Sequence, residues 1–153
     1  MTVFTYENIY VAVDGSKEAE FAFEKAVGIT KRNAGSHLCL IHIVDQRATI
    51  SMDYGDGANM ERAVEYAEDM LATYKERAAS YGVENVQVIV EQGSPKQALV
   101  KKFATLSETD LVICGATGLN RIERFLIGSV SDNIIRSSGC DVLVVRTPER
   151  FLT

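Results

Sequence analysis

The stretch "DLVICGATGLNRIERFLIGSVS", residues 110–131, joins a strand pattern to a glycine-rich loop and the start of a helix. Its first six residues are almost all apolar, which is typical of a parallel strand buried on both faces. Gly115 and Gly118 follow three apart, and Gly128 comes directly before Ser129. Because glycine accepts positive φ and lets the backbone approach a ligand closely, we expect positive φ at Gly115 and Gly118. The stretch therefore predicts a ligand loop at the carboxyl end of a strand.

Four more apolar runs, rich in β-branched residues, have the same character as this strand. With it, they give five predicted strands, at residues 8–14, 36–45, 85–93, 110–115 and 141–146. Helical periodicity separates them, in segments 16–34, 58–82, 94–108 and 129–139. The alternation predicts an α/β fold, a single-domain open doubly wound parallel five-stranded sheet with two helices on each face. Residues 1–153 are interpreted as that one domain.

The third helical segment begins with a recognisable start signal. Ser94 is placed as its N-cap, Pro95 as its first helical residue, and Gln97 lies three residues after the cap. This spacing predicts a capping box.

The positions of two loops decide the strand order. In open α/β sheets, ligands bind at the carboxyl ends of strands, where the strand order reverses. The first predicted strand ends at Asp14, before Gly15 and Ser16, and the fourth ends at Gly115. If both loops serve one site, the first and fourth strands must be neighbours. That favours the order 3-2-1-4-5 over the flavodoxin-like order 2-1-3-4-5.

Charge and composition limit the partners. The chain has 16 basic and 21 acidic residues and a net charge of −5, which argues against a nucleic-acid footprint built from clustered Lys and Arg. A small anion can still be bound by backbone amides and a helix N-terminus. The start has no signal-peptide pattern, and no run reaches the ~20 apolar residues of a membrane helix. We therefore expect a cytoplasmic protein that binds neither nucleic acid nor membrane.

Other candidate chemistry is weaker. His37 and His42 lie five apart on one strand, so they face opposite sides of the sheet and are assigned structural or surface roles. Cys39, Cys114 and Cys140 are interpreted as buried reduced thiols. No nucleophile–base set and no P-loop lysine is present, so we assign no catalytic residue and no protein metal site. The glycines have a simpler interpretation, in which they close a turn and Ser129 caps a helix.

The glycine stretch resembles the nucleotide-binding signature of the universal stress protein family, G-x2-G-x9-G-S/T. Gly115, Gly118, Gly128 and Ser129 occupy its fixed places, and the insert 119–127 has the matching length. The resemblance extends over the whole chain through "VAVDGS", "LIHIVD" and "DVLVVR". It implies the member type that binds ATP, with Mg²⁺ bound through the phosphates.

The resemblance also implies positions for the nucleotide. Ala12, Val13 and the backbone of Ile43 would form the adenine pocket, and Asp14 would lie near the ribose. The phosphates would be held by two segments, Cys114, Gly115, Ala116, Thr117, Gly118, Leu119, Asn120 and Arg121 in the first, and Gly128, Ser129, Val130 and Ser131 in the second. The family often has a basic residue or His in the first glycine gap, where this chain has Ala116 and Thr117.

The resemblance implies a nucleotide-dependent sensor or regulator of the stress response, with an adenine nucleotide as ligand. A slow Mg²⁺-dependent ATPase is one alternative, with Asp14 and a bound metal as water activators. An interaction or chaperone-like module in which nucleotide is incidental is another. The segment 46–58 is expected to be a mobile cover, and Arg121 and Arg124 to lie within reach of the γ-phosphate or in solvent. We also expect a homodimer through the last strand, 141–149, because that strand is an apolar edge in the order 3-2-1-4-5.

Overall fold

The computed structural model describes residues 5–47, 58–116 and 127–152, apart from the side chain of Ala58. The strands are β1 (Asn8–Ala12), β2 (His37–Asp45), β3 (Val86–Gly93), β4 (Asp110–Gly115) and β5 (Asp141–Val145). The helices bounded within those ranges are α1 (Lys17–Arg32), α2 (Ala58–Ser80), α3 (Pro95–Phe103) and α4 (Ser129–Ser137), followed by a 3-10 turn (Glu149–Phe151). Strands and helices alternate as the sequence predicts.

The five strands form one parallel sheet in the order β3-β2-β1-β4-β5. β1 is central, and Asn8 pairs with His37 on one side and Asp110 on the other. The predicted fold class and strand order are therefore confirmed. Within the described ranges, no helix combines the length and the apolar character needed to cross a bilayer.

Each face of the sheet buries its own hydrophobic core. The core under α1 and α2 contains Ile9 and Val11 of β1 and Val13, which follows that strand. Phe23 of α1 and Leu71 of α2 pack in the same core. The core under α3 and α4 contains, among others, Ile41, Ile43, Leu99, Phe103, Val112 and Ile134. Because successive strand residues point to opposite faces and both faces are covered, the strands are apolar without alternation.

The start and end of α1 follow from local chemistry. Ser16 is its N-cap, and the Ser16 Oγ accepts a hydrogen bond from the Ala19 N–H at 3.1 Å. The helix ends at Arg32, two residues before the predicted boundary, with Asn33 as C-cap. Gly35 then takes φ +85°, a conformation that glycine adopts without a Cβ penalty and that turns the chain toward β2.

At the start of α3, one part of the prediction is wrong. Ser94 is the N-cap and Pro95 follows it, but the Ser94 side chain makes no cap hydrogen bond, so no capping box forms. The Gln97 side chain lies in solvent. The helix is positioned instead by burial of Leu99 and Phe103 against the sheet, and proline presets the φ of its first residue.

The three cysteines carry free thiols, as expected, although Cys140 is only half-buried. Burial raises the pKa of Cys39 to about 11, because the charged thiolate is disfavoured away from water. The interpretation as reduced thiols is consistent with these surroundings.

The end of α4 fits closely against the end of α3 at Gly139. The Gly139 N–H donates to the Phe103 carbonyl at 3.2 Å. A Cβ on Gly139 would lie 2.3 Å from the Leu106 carbonyl oxygen and 3.2 Å from that of Ala104. Glycine is required here because two backbone segments meet, not because φ is positive.

We expect Gly139→Ala to lower the free energy of unfolding by about 1–3 kcal/mol, because the backbone must shift to admit the methyl group. The matched control is Gly28→Ala within α1, where a Cβ would meet only the flexible end of Arg32 at 3.5 Å. That change should be neutral or stabilise by up to about 1 kcal/mol. Urea denaturation followed by circular dichroism measures both, and equal stability of the two variants would contradict the prediction.

Candidate functional site

The candidate site is the crevice where β1 and β4 lie side by side. The chain leaves β1 through α1 toward β2 and leaves β4 through α4 toward β5, so the connections diverge at this point. Such a switch point is where open α/β sheets bind ligands. The structure thus brings together the carboxyl ends of β1 and β4, with Ala12 ending the first and Gly115 ending the second.

Two hydrogen bonds fix the start of α4 against the end of β4. The Gly128 N–H donates to the Ala116 carbonyl at 2.8 Å. The Ser131 hydroxyl, on a residue only 6% exposed, donates to the Gly115 carbonyl at 2.6 Å. These bonds hold the N-terminus of α4 at the crevice.

The first turn of α4 has no side-chain cap. Gly128 is the N-cap and supplies no cap hydrogen bond, which corrects the interpretation of Ser129 as the capping residue. Ser129 is instead the first helical residue and is exposed. An uncapped N-terminus presents backbone N–H groups and the positive end of the helix dipole. α3 also lacks a side-chain cap, but it follows the edge strand β3, so the crevice position distinguishes α4.

Of the three glycines in the motif, Gly115 and Gly128 lie within the described residues, and neither has positive φ. The predicted positive φ at Gly115 is therefore wrong. Gly115 remains in the ladder opposite Val145, and the next residue, Ala116, donates its N–H to the Val145 carbonyl at 3.0 Å. Gly128 has φ −62° and ψ 158°, a conformation open to any residue. If glycine is needed at these two positions, the reason must be that a side chain would not fit there, since the backbone conformation admits any residue.

Asp14 makes local contacts that sequence reasoning missed. Its Oδ1 accepts from the Ser16 N–H at 2.9 Å and from the Ser16 hydroxyl at 2.6 Å. The Ser16 Oγ in turn accepts from the Ala19 N–H. The intervening Gly15 takes φ +83°. The carboxylate therefore organises the turn from β1 into α1, whatever else it binds.

Ile43 lies where its peptide groups face the space beyond β1. On β2, the His37 N–H donates to the Glu7 carbonyl, and the Ile41 carbonyl accepts from the Val13 N–H. Because alternate residues of a strand face the same neighbour, the Ile43 peptide groups point to the β1 side. β1 ends at Ala12, so these groups lie at the edge of the crevice, while the Ile43 side chain is buried in the core under α3 and α4.

His42 is a second residue that sequence reasoning left out of the site. Its Nδ1 is hydrogen-bonded to the Val13 carbonyl, whereas His37, at the other end of β2, is exposed. Val13 itself is 1% exposed, with its side chain in the core under α1 and α2. A histidine next to Ile43 was visible in the sequence, but its contact depends on the β1–β2 register.

The remaining predicted site residues differ in how they are placed. Cys114 is buried, and burial raises the pKa of its thiol, with an opposing contribution from a hydrogen bond with Ser131. Val130 is half-buried at the start of α4. Thr117–Arg121, Arg124 and most of the predicted cover, 48–57, lie outside the described residues. Among the residues described, no group of three or more His, Cys, Asp or Glu side chains is arranged to hold a metal ion.

Comparison with known proteins gives consistent matches. Residues 5–146 match the universal stress protein family. A protein named as a universal stress protein in Staphylococcus saprophyticus is 48% identical over 147 residues, 96% of this chain and 87% of that protein. A counterpart in Staphylococcus aureus strain USA300 is 46% identical, with 96% and 88% covered.

Solved structures have the same fold. The protein MJ0577 is similar with a TM-score of 0.78 and 26% identity, over 95% of this chain and 99% of that one. The universal stress protein UspA of Lactobacillus plantarum is similar with a TM-score of 0.71 and 27% identity, over 93% and 99%.

Variants of Asp14 can test whether its hydrogen bonds to Ser16 or its negative charge stabilises the fold. Asp14→Ala removes the acceptor of two Ser16 donors and should lower the free energy of unfolding by about 1–2 kcal/mol. Asp14→Asn keeps an Oδ1 acceptor and should lose less than about 0.5 kcal/mol. Ser16→Ala should cost about 0.5–2 kcal/mol. Urea denaturation of the three variants checks this, and an Asn variant as unstable as the Ala variant would count against it.

Proposed function

The chain belongs to the universal stress protein family, and from that premise we propose that it is an ATP-binding sensor of the stress response. ATP would occupy the crevice between β1 and β4, and its presence would be read by a partner protein. The observation that carries the proposal is the uncapped start of α4, tied to the end of β4 by Gly128 and Ser131.

The proposed phosphate contacts are mainly to the main chain. The first-turn N–H groups of Ser129, Val130 and Ser131 would bind phosphate oxygens, because a helix N-terminus favours negative charge. The Ser129 hydroxyl is exposed and would add one donor. The Ser131 hydroxyl already donates to Gly115, so its contribution is to hold the helix in place. A chain of net charge −5 thereby binds an anion without a basic patch.

The proposed base and ribose positions lie beside β1. Ala12 is half-buried at the end of that strand, and the Ile43 peptide groups face the same edge. These are donors and acceptors of the kind that an adenine ring pairs with. Asp14 is exposed, and its carboxylate would accept hydrogen bonds from ribose hydroxyls in addition to those from Ser16.

Mg²⁺ would be held through the phosphates. Magnesium keeps most of its waters and needs few protein ligands when a polyphosphate supplies oxygens. Among the described residues, Asp14 presents an exposed carboxylate beside this crevice, and it would reach the ion through water. The bound ion would neutralise phosphate charge.

The identity of the nucleotide requires its own test. One solved structure in the family is a universal stress protein in complex with cAMP. That protein is 23% identical with a TM-score of 0.69, a similarity that supports a shared fold but not a shared ligand. We propose ATP because an uncapped helix start beside a glycine-rich loop suits a polyphosphate, and cAMP is the natural competing ligand in the experiment.

We expect calorimetric titration of nucleotide-stripped protein to show ATP binding that is tighter than cAMP binding. Ser129→Ala should weaken ATP binding by ~1.5–3 kcal/mol through loss of a hydrogen bond to a charged group. Gly128→Val should weaken it more, because its side chain would occupy phosphate space although the backbone conformation is permitted. Gly118→Val is expected to behave in the same way, and Arg121→Ala to lie between no effect and the Ser129→Ala effect.

The control for Ser129→Ala is Ser137→Ala, at the opposite end of α4, which should leave ATP affinity unchanged. Circular dichroism establishes that each variant is folded. Folded Gly128→Val protein that binds ATP as tightly as the wild type would disprove the phosphate position. Mass spectrometry of nucleotide released when freshly purified protein is denatured identifies the ligand acquired in cells.

The two alternatives are distinguished with variants already described. A slow ATPase requires Mg²⁺-dependent phosphate release that falls in Asp14→Asn, which keeps the Ser16 contacts while removing the charge. An interaction module with incidental nucleotide requires partner capture that persists in Gly128→Val. A sensor requires partner capture that depends on ATP.

We also propose a homodimer through β5. Within the described residues, β5 pairs with β4 alone, so its other edge has no partner strand. Leu143 on this strand and Phe151 in the following 3-10 turn are 39% and 48% exposed. Unprotected apolar edges tend to acquire a partner strand. Light scattering of the wild type should give a dimer, and Val144→Asp should give a folded monomer, because a charge placed in a strand pair lacks a counterion. Gln87→Asp, on the opposite edge strand, should remain dimeric, and a dimer that tolerates Val144→Asp would contradict the proposal.

A further inference from the structure

We propose that His42 is a positioning residue of the nucleotide site. Its imidazole holds the Val13 carbonyl and so determines where β1 separates from β2, which keeps the Ile43 peptide groups available to the adenine base. The inference rests on the proposed function, and it assigns this histidine a part in that function.

The contact itself determines the protonation of the ring. The Val13 carbonyl oxygen is an acceptor, so the His42 Nδ1 bonded to it must carry the hydrogen. In the neutral ring, the proton is then on Nδ1, and Nε2 has the lone pair. This tautomer is a property that can be measured without any ligand.

The position of the contact in the β1–β2 ladder gives it a consequence. The Val13 N–H donates to the Ile41 carbonyl at 2.8 Å, and among the described residues this is the last β1–β2 ladder bond at this end of the strands. In a ladder that continued regularly, the Ile43 N–H would be the next donor to the Val13 carbonyl. The His42 side chain supplies a donor to that carbonyl, and the strand β1 ends at Ala12.

The two neighbouring residues of β2 therefore have separate tasks on opposite faces of the sheet. His42 is half-buried and lies on the same face of the sheet as Leu38 and Leu40, which belong to the core under α1 and α2. Ile43 lies on the opposite face, in the core under α3 and α4. The His42 ring is hydrogen-bonded to the Val13 carbonyl on the face covered by α1 and α2. The peptide groups of Ile43, in the plane of the sheet, are thereby left to a ligand.

The affinity test compares variants that keep or remove the donor. An Asn side chain places an N–H close to where Nδ1 lies, so His42→Asn should bind ATP with nearly the wild-type Kd. His42→Leu fills similar space without a donor and should bind about tenfold more weakly, the effect of one lost positioning hydrogen bond. His37→Leu, at the exposed far end of the same strand, is the matched control and should bind as the wild type does.

A second comparison keeps the test decisive if His42→Leu fails to fold. His42→Gln has an amide that reaches one bond further than that of Asn, so it should bind ATP about as weakly as expected for the Leu variant. Equal affinity of the Asn and Gln variants for ATP would overturn the inference.

The tautomer is tested by nitrogen-15 NMR of the imidazoles. The chain has two histidines, so His37→Asn leaves His42 as the one imidazole to observe. At a pH where the ring is neutral, we expect a protonated Nδ1 and a lone-pair Nε2. A ring protonated at Nε2 would overturn the inference, because the Val13 contact could not then form.

The possible results distinguish the role of His42 from the proposal that the chain binds ATP. If the wild type binds ATP and His42→Leu binds equally well, the positioning role is wrong and the nucleotide site remains. If the wild type binds no adenine nucleotide, both are wrong. Weak binding by the Leu variant with rescue by Asn supports both, since a general loss of packing would not be rescued by a smaller polar side chain.

Discussion

The pairing of β1 with β4 is the contact on which the rest of the molecule depends. Parallel hydrogen bonding from Asn8 opposite Asp110 to Val11 opposite Ile113 places two strands side by side that are about a hundred residues apart in the chain. Once these strands are neighbours, the connections from their carboxyl ends must diverge, one through α1 and the other through α4. That divergence opens the crevice, and the two hydrophobic cores hold the helices that border it on opposite faces.

Local hydrogen bonds around the crevice restrict which groups remain for a ligand. Asp14 is engaged with Ser16, the Ser131 hydroxyl with Gly115, and the Val13 carbonyl with His42. Each of these contacts positions a piece of backbone instead of presenting a side chain. Among the described residues, the groups that they leave facing the crevice include N–H groups at the start of α4 and the peptide groups of Ile43. In the proposed site, recognition of a nucleotide would depend on backbone geometry, and changes that move this backbone or fill the space beside it would disturb it most.

The acidic character of the chain is compatible with binding an anion for the same reason. Oriented peptide dipoles act over a few ångströms, whereas the net charge of −5 acts over the Debye length of about 8 Å at physiological salt. Ion pairs described on the surface, such as Arg77 with Glu20 and Glu24, join α2 to α1 and lie away from the start of α4. Among the described residues, the crevice therefore combines the positive end of the α4 dipole with the exposed carboxylate of Asp14.

The fold class, the strand order and the meeting of the carboxyl ends of β1 and β4 could all be predicted from the sequence. Apolar strands without alternation require cover on both faces, and a shared ligand site requires β1 beside β4. Tertiary structure alone decided that Gly115 remains in a strand ladder, that Gly139 is required by the Leu106 carbonyl, and that His42 bonds Val13. Periodicity and spacing report which face of an element is buried. These contacts join residues about thirty apart in the chain. They depend on strand register to within one residue and on distances to within an ångström. A local sequence pattern specifies neither the register nor the distances.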